Sequence, residues 1–86
     1  MPVKFTSHAR IQMEARGITV AQVYRLLAYG RFRNQYGSCI WSANLNRIKD
    51  EYWRSLLENL RVICTPDLCV VTAFHIEEAP MYNVTW

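Results

Sequence analysis

The sequence has little of what builds a metal or phosphate site. Its two histidines, His8 and His75, stand near opposite ends of the 86-residue chain, and no two of its three cysteines have the spacing of a zinc knuckle. There is no glycine-rich phosphate loop and no nucleophile elbow. No metal and no cofactor is therefore expected. Three cysteines, an odd count, do not make a disulfide framework. No apolar run approaches the roughly 18 residues that a membrane span needs. The start, Met1-Pro2-Val3-Lys4-Phe5, lacks the apolar core of a signal peptide. These absences predict a cytoplasmic chain with no membrane partner.

Hydrophobic residues make up 51% of the chain, which excludes a disordered one. The length fits one domain, 1–86, and such a chain buries only about 60–65% of its unfolded surface. The net charge is +3. Lys4, Arg10, Arg16, Arg25, Arg31 and Arg33 face a single acid, Glu14, in the first 33 residues, whereas the tail carries Glu77 and Glu78 and no base. That asymmetry suits an anionic partner that the tail could partly shield, or is ordinary solvated surface.

The spacing predicts a helix over 7–16, capped by Thr6 or Ser7 and stopped by Gly17, with Phe5, Ala9 and Met13 as its apolar stripe. A second helix starts at the capping box Thr19–Gln22, keeps Val20, Val23, Tyr24 and Leu27 at helical spacing with Val23 and Leu27 expected to be buried, and ends at Gly30. Residues 31–35 and 38–42 read as a hairpin around Tyr36-Gly37. Helical spacing returns over 47–59, with Tyr52, Trp53, Leu56 and Leu57 apolar and Asp50 and Glu51 in the first turn. Residues 60–64 and 69–75 flank Thr65-Pro66-Asp67-Leu68, a second hairpin. The class is α+β, in the order α-α-β-β-α-β-β: two helices on an antiparallel sheet of about four strands, with an extra helix between the hairpins. In the last hairpin Cys64 is set opposite Cys69, Val62 opposite Val71 and Leu60 opposite Ala73. His75 then shares their face, Ile63, Val70 and Phe74 take the other, and Arg61 faces Thr72.

His8, Gln12 and Arg16 follow at i, i+4 and i+8, so they span about 80° of one helix face. A titratable group, an amide and a fixed cation on one stripe suit cleavage of RNA. The substrate's own 2′-hydroxyl is the nucleophile, so the protein need supply only a base, an acid and cations for the transition state. His8 and His75 are the candidates for proton transfer, and Arg16 and Arg61 for phosphate. Lys4, Gln12 and Thr72 join Arg61 as expected substrate contacts. Tyr36, Trp41 or Trp53 can stack a base or simply fill a core. Each site residue also has a structural reading: His8 as a helix-start residue, His75 as a strand-end one, Arg16 as a tie from helix to sheet. Nothing near the cysteines in sequence supplies a base, so free buried thiols are expected.

The stretch Thr6-x-His8-Ala9-x-x-x-Met13-x-x-Arg16-Gly17-Ile18, a helix ending in Gly30, and the closing Val70-Val71-Thr72-Ala73-Phe74 strand resemble the family called domain of unknown function 4258. The similarity covers most of 5–42 and 60–75, and 45–58 looks like an insertion. That family is grouped with the barnase–EndoU–colicin–RelE superfamily of small metal-independent ribonucleases, many of them toxins. The resemblance implies two N-terminal helices packed on an antiparallel sheet, with RNA on its open face. His8 and Arg16 match the family's His and Arg, and His75 falls where relatives often carry arginine or another polar residue. An antitoxin or other protein partner is then expected.

Two other functions fit the residues. A non-catalytic module of the same fold would use its apolar sheet face, or Met81, Tyr82 and Trp86 of the tail, to form a homodimer or bind a protein. A DNA-binding helix pair fits less well, because its two-residue connection is shorter than a helix-turn-helix turn.

Overall fold

The computed structural model describes residues 3–76. The tail carrying Glu77, Glu78, Met81, Tyr82 and Trp86 lies outside them. Strand β1 (Lys4–Phe5) leads into helix α1 (Ser7–Arg16). Thr6 is the N-cap: its backbone is extended and its Oγ1 accepts the Ala9 amide at 3.0 Å. Gly17 closes the helix with φ 69, a conformation that costs glycine little. Ala9 and Met13 are buried as expected, and Phe5 packs beside them from β1.

Helix α2 (Val20–Tyr29) opens with the expected capping box, Thr19 Oγ1 accepting from the Gln22 amide and Gln22 Oε1 from the Thr19 amide. Its buried face is rotated from the expected one. Gln22, Val23 and Leu26 are buried, Leu27 is half-buried, and Val20 and Tyr24 are exposed. Spacing from Val23 allows Leu26 and Leu27 equally, and the exit of the helix decides between them. At Gly30 the chain passes from α2 into strand β2 (Gly30–Gln35) without a linker, so closely that a Cβ would lie 2.3 Å from the Leu26 carbonyl oxygen.

Strand β2 pairs with β3 (Ser38–Ala43) through the two-residue turn Tyr36-Gly37, both at positive φ, the geometry that matches strand twist. A short 3-10 turn (Leu45–Arg47) follows, then α3 (Glu51–Leu57), β4 (Leu60–Cys64) and β5 (Cys69–His75). Helix α3 is shorter than the expected 47–59. Asp50 is its N-cap rather than a first-turn residue, accepting from the Tyr52 and Trp53 amides. Leu57 is fully buried, while Trp53 is half-buried and Tyr52 exposed.

The sheet order is β1-β5-β4-β3-β2. It is a mixed sheet of five strands among the described residues, not an antiparallel one of four, because Lys4 and Phe5 run parallel to Cys69 and Val70. Two residues are too few to show a sequence period. The β4–β5 register also differs from the expected one. Val62 pairs with Ala73, Ile63 with Thr72, Arg61 with Phe74 and Leu60 with His75. Next to the turn Cys64 pairs with Val70, not with Cys69, because a bulge adds a residue to β5. Leu68, at φ 63, shapes the turn. The two-residue shift keeps His75 and Ala73 on the face of Leu60 and Val62. The bulge moves Val70 to that same face, where it is fully buried.

The helices cover that one face. Ala9, Met13, Val23, Leu26 and Leu57 pack against Leu60, Val62, Cys64, Val70 and Ala73 in one core. The alternate residues of the strands point the other way.

Candidate nucleic-acid interface

Strand alternation builds the opposite face. Arg31 and Arg33 stand two residues apart on β2, so both point away from the helices, about 7 Å apart along the strand. Pairing carries their rows across the sheet. Arg33 is opposite Ile40, Ile40 opposite Ile63, and Ile63 opposite Thr72. Arg31 is opposite Ser42, and Arg61 opposite Phe74. The result is a groove of about 780 Å³ whose lining includes Ile40, Ile63, Phe74 and Ile76; among the described residues its charged members are Arg31, Arg33 and Arg61, with no carboxylate.

Arg61 is the best-fixed of the three cations. Its Nη1 donates to the Leu60 carbonyl at 2.9 Å and to the Glu58 carbonyl at 3.3 Å. Burial pulls its guanidinium down from the ordinary arginine range. An anion in the groove would offset that desolvation.

Of the residues expected from sequence to form a site, Arg61 and Thr72 lie on this face. His8, Gln12 and Arg16 do not: they ride on α1, which packs against β5 from the other side. His8 is exposed in the first turn, and Gln12 and Arg16 are half-buried. Arg16 Nη1 donates to the Ala73 carbonyl at 2.8 Å, so its side chain ties helix to strand. Thr6 Oγ1 does the same for the Val71 carbonyl at 3.4 Å. Both carbonyls belong to the part of β5 that has no β1 residue beside it. Lys4 is exposed on β1, beside the Thr65–Leu68 turn, where the Thr65 hydroxyl and a backbone amide hold the Asp67 carboxyl below its usual range and the Lys4 charge adds least. His75 ends β5 on the helix-facing side, between the groove residues Phe74 and Ile76.

Sequence reasoning counted Arg31 and Arg33 only as charge. The signal that assigns them is the alternation Arg-Phe-Arg in a strand, which puts both arginines on one face and Phe32 on the other. Phe32 accordingly packs its ring on Trp41, centroids 4.9 Å apart and planes tilted by 35°, while the residue still borders the groove. Tyr36 is 98% exposed at the hairpin tip.

All three thiols are free, and Cys64 is pushed up to about 11, by burial first and then by Cys39 and Cys69. Among the described residues no group of three histidine, cysteine or carboxylate side chains could hold a metal ion, and no helix is long and apolar enough to cross a membrane.

Residues 5–75 match the family model described as Domain of unknown function (DUF4258). Comparison with curated proteins and with solved structures finds no match. The chain belongs to the DUF4258 family.

Proposed function

We propose that this DUF4258 chain is a metal-independent ribonuclease of the RelE-like type that takes single-stranded RNA on the uncovered face of its sheet. The arginine-lined groove carries the reading. Guanidinium groups bind phosphate through paired donors, and an apolar floor suits ribose and splayed bases. Among the described residues three cations line the groove with no acid between them, and their mutual repulsion favours an anion there.

In this reading Arg61 holds the scissile phosphate and stabilises the charge that develops as the 2′-hydroxyl attacks. His75 is the candidate for proton transfer; it ends β5 between two groove residues but on the helix-facing side, so its ring would have to turn past the strand end to reach the phosphate. His8, Gln12 and Arg16 stay outside the groove. The cellular role that accompanies the superfamily is that of a toxin, with RNA as substrate and an antitoxin as protein partner.

A second reading, a non-catalytic module that dimerises or binds a protein, is favoured by one observation: neither histidine lines the groove. Incubation of the full chain with mixed-sequence single-stranded RNA, in excess chelator, separates the two. Cleavage to ends bearing a cyclic phosphate, reduced on the order of 10²-fold by Arg61→Gln, supports the ribonuclease. RNA binding without cleavage removes catalysis and keeps the groove. Absence of both, with a dimer in sedimentation, favours the second reading.

A further inference from the structure

A second cationic pocket lies on the helix side of the sheet. It is about 250 Å³ and is lined by Arg25 and Tyr29 of α2, Arg47 of the 3-10 turn, and Lys49, Asp50 and Trp53 at the start of α3, with Ile48 and Leu57 at its base. None of these residues belongs to the arginine groove.

The two guanidinium groups are held on rings. Arg25 stacks over Trp53 at 4.3 Å from the ring centroid, and Arg47 over Tyr29 at 5.7 Å. A guanidinium that lies on a ring keeps its in-plane N–H donors available. The carboxylate of the pocket is already engaged, since Asp50 Oδ1 accepts the Tyr52 and Trp53 amides. Among the described residues, three cationic side chains therefore line a small cavity with one acid that caps a helix.

Three positive charges against one negative leave an excess near that of a phosphate monoester, which carries about −1.5 to −2 at neutral pH. A phosphodiester carries half of that. The cavity holds a phosphate with part of a sugar but not an oligonucleotide.

We propose that this pocket is a binding site for a phosphate monoester, its dianion held by Arg25, Arg47 and Lys49. The site is separate from the groove and does not depend on RNA binding there. The chemistry is shared by free phosphate and by the terminal phosphate of a nucleotide.

The test is a titration of the ¹⁵N-labelled full chain with inorganic phosphate, with a nucleoside 5′-monophosphate and with the same nucleoside lacking phosphate. Binding of either phosphate should shift the Nε–H signals of Arg25 and Arg47 and the amides of Lys49 and Trp53. The bare nucleoside should not. Equal affinity for the two phosphates identifies the phosphate alone as the ligand; tighter nucleotide binding identifies the nucleotide. Arg47→Gln should weaken binding at least about tenfold, the loss expected for one charge-assisted contact. Lys49→Gln, which disturbs no ring contact, should weaken it similarly while the spectrum stays folded. The proposal is overturned if neither phosphate shifts these signals below about 10 mM, a level at which binding is already very weak. It is also overturned if both variants bind as the parent does, or if the shifts fall on Arg31, Arg33 and Arg61 instead.

Discussion

Arg16 shares a helix stripe with His8 and Gln12, yet its guanidinium is committed to the Ala73 carbonyl. That carbonyl lies on β5 past the end of β1, so losing Arg16 leaves it without its donor. A hydrogen bond from a charged group contributes about 1.5–3 kcal/mol, and partial exposure reduces it. Arg16→Ala should therefore destabilise the fold by about 1–2 kcal/mol, read from the denaturant midpoint, with the RNA affinity of the folded protein unchanged. Lost affinity at unchanged stability would return Arg16 to the binding site. Cys64 is the other residue with a defined energetic role. Its thiol is pushed from 9.0 up to about 11 in the fold. The folded chain thus keeps a proton that the unfolded chain releases. Its contribution is complete below about pH 9 and declines as pH rises toward 11. Melting temperatures from pH 8 to 10.5 should fall more steeply in the parent than in Cys64→Ala, in which that proton is absent. Parallel slopes would assign the decline to other groups.

Among the elements, Gly30 joins α2 to β2 at a spacing that no side chain fits. Its Cβ position is 2.3 Å from the Leu26 carbonyl oxygen and 2.5 Å from that of Ser42, both backbone atoms that cannot swing aside. Gly30→Ala should cost at least about 2–3 kcal/mol, and an unchanged denaturant midpoint would mean that helix and strand can part without penalty. The same junction explains what the sequence concealed. Turn and cap chemistry is local, so the Thr19–Gln22 box, the Gly17 stop and the Tyr36-Gly37 hairpin are legible one by one. The rotation of α2 is not, because Leu26 and Leu27 keep equally good spacing from Val23 and only the close passage at Gly30 chooses. Strand β1 is too short to show a period. The bulge in β5 reverses the side on which Val70 points, and alternation counted from either end cannot reveal where the extra residue sits. For the candidate site, Arg61 and Thr72 were legible because they alternate with buried neighbours. The helical stripe of His8, Gln12 and Arg16 was legible as a stripe, but its spacing does not say which side of the sheet the helix covers. Arg31 and Arg33 were overlooked as a pair although Arg-Phe-Arg already assigns them one face.

At the scale of the whole molecule, the sheet separates two kinds of surface. Apolar packing of the helices occupies one face, and the other presents three arginines over isoleucine and phenylalanine. The net charge of +3 alone would attract any polyanion weakly and everywhere. A defined RNA path differs from such diffuse attraction in its salt dependence. Each phosphate neutralised on a single strand releases condensed counterions and contributes about 0.7 to the slope of log affinity against log salt. Removing Arg31 and Arg33 together should therefore lower that slope by about 1.4 for an unphosphorylated single-stranded oligonucleotide, whatever its sequence. Removing Arg25 and Lys49, on the helix side, takes away the same net charge and should leave the slope unchanged. Fluorescence anisotropy at four or five salt concentrations measures both pairs. If Arg31→Gln/Arg33→Gln and Arg25→Gln/Lys49→Gln lower the slope equally, the attraction is set by net charge and the groove has no special part in it. If only the groove pair does, the strand must cross the open face of the sheet, because no other surface would register those two arginines and ignore the others.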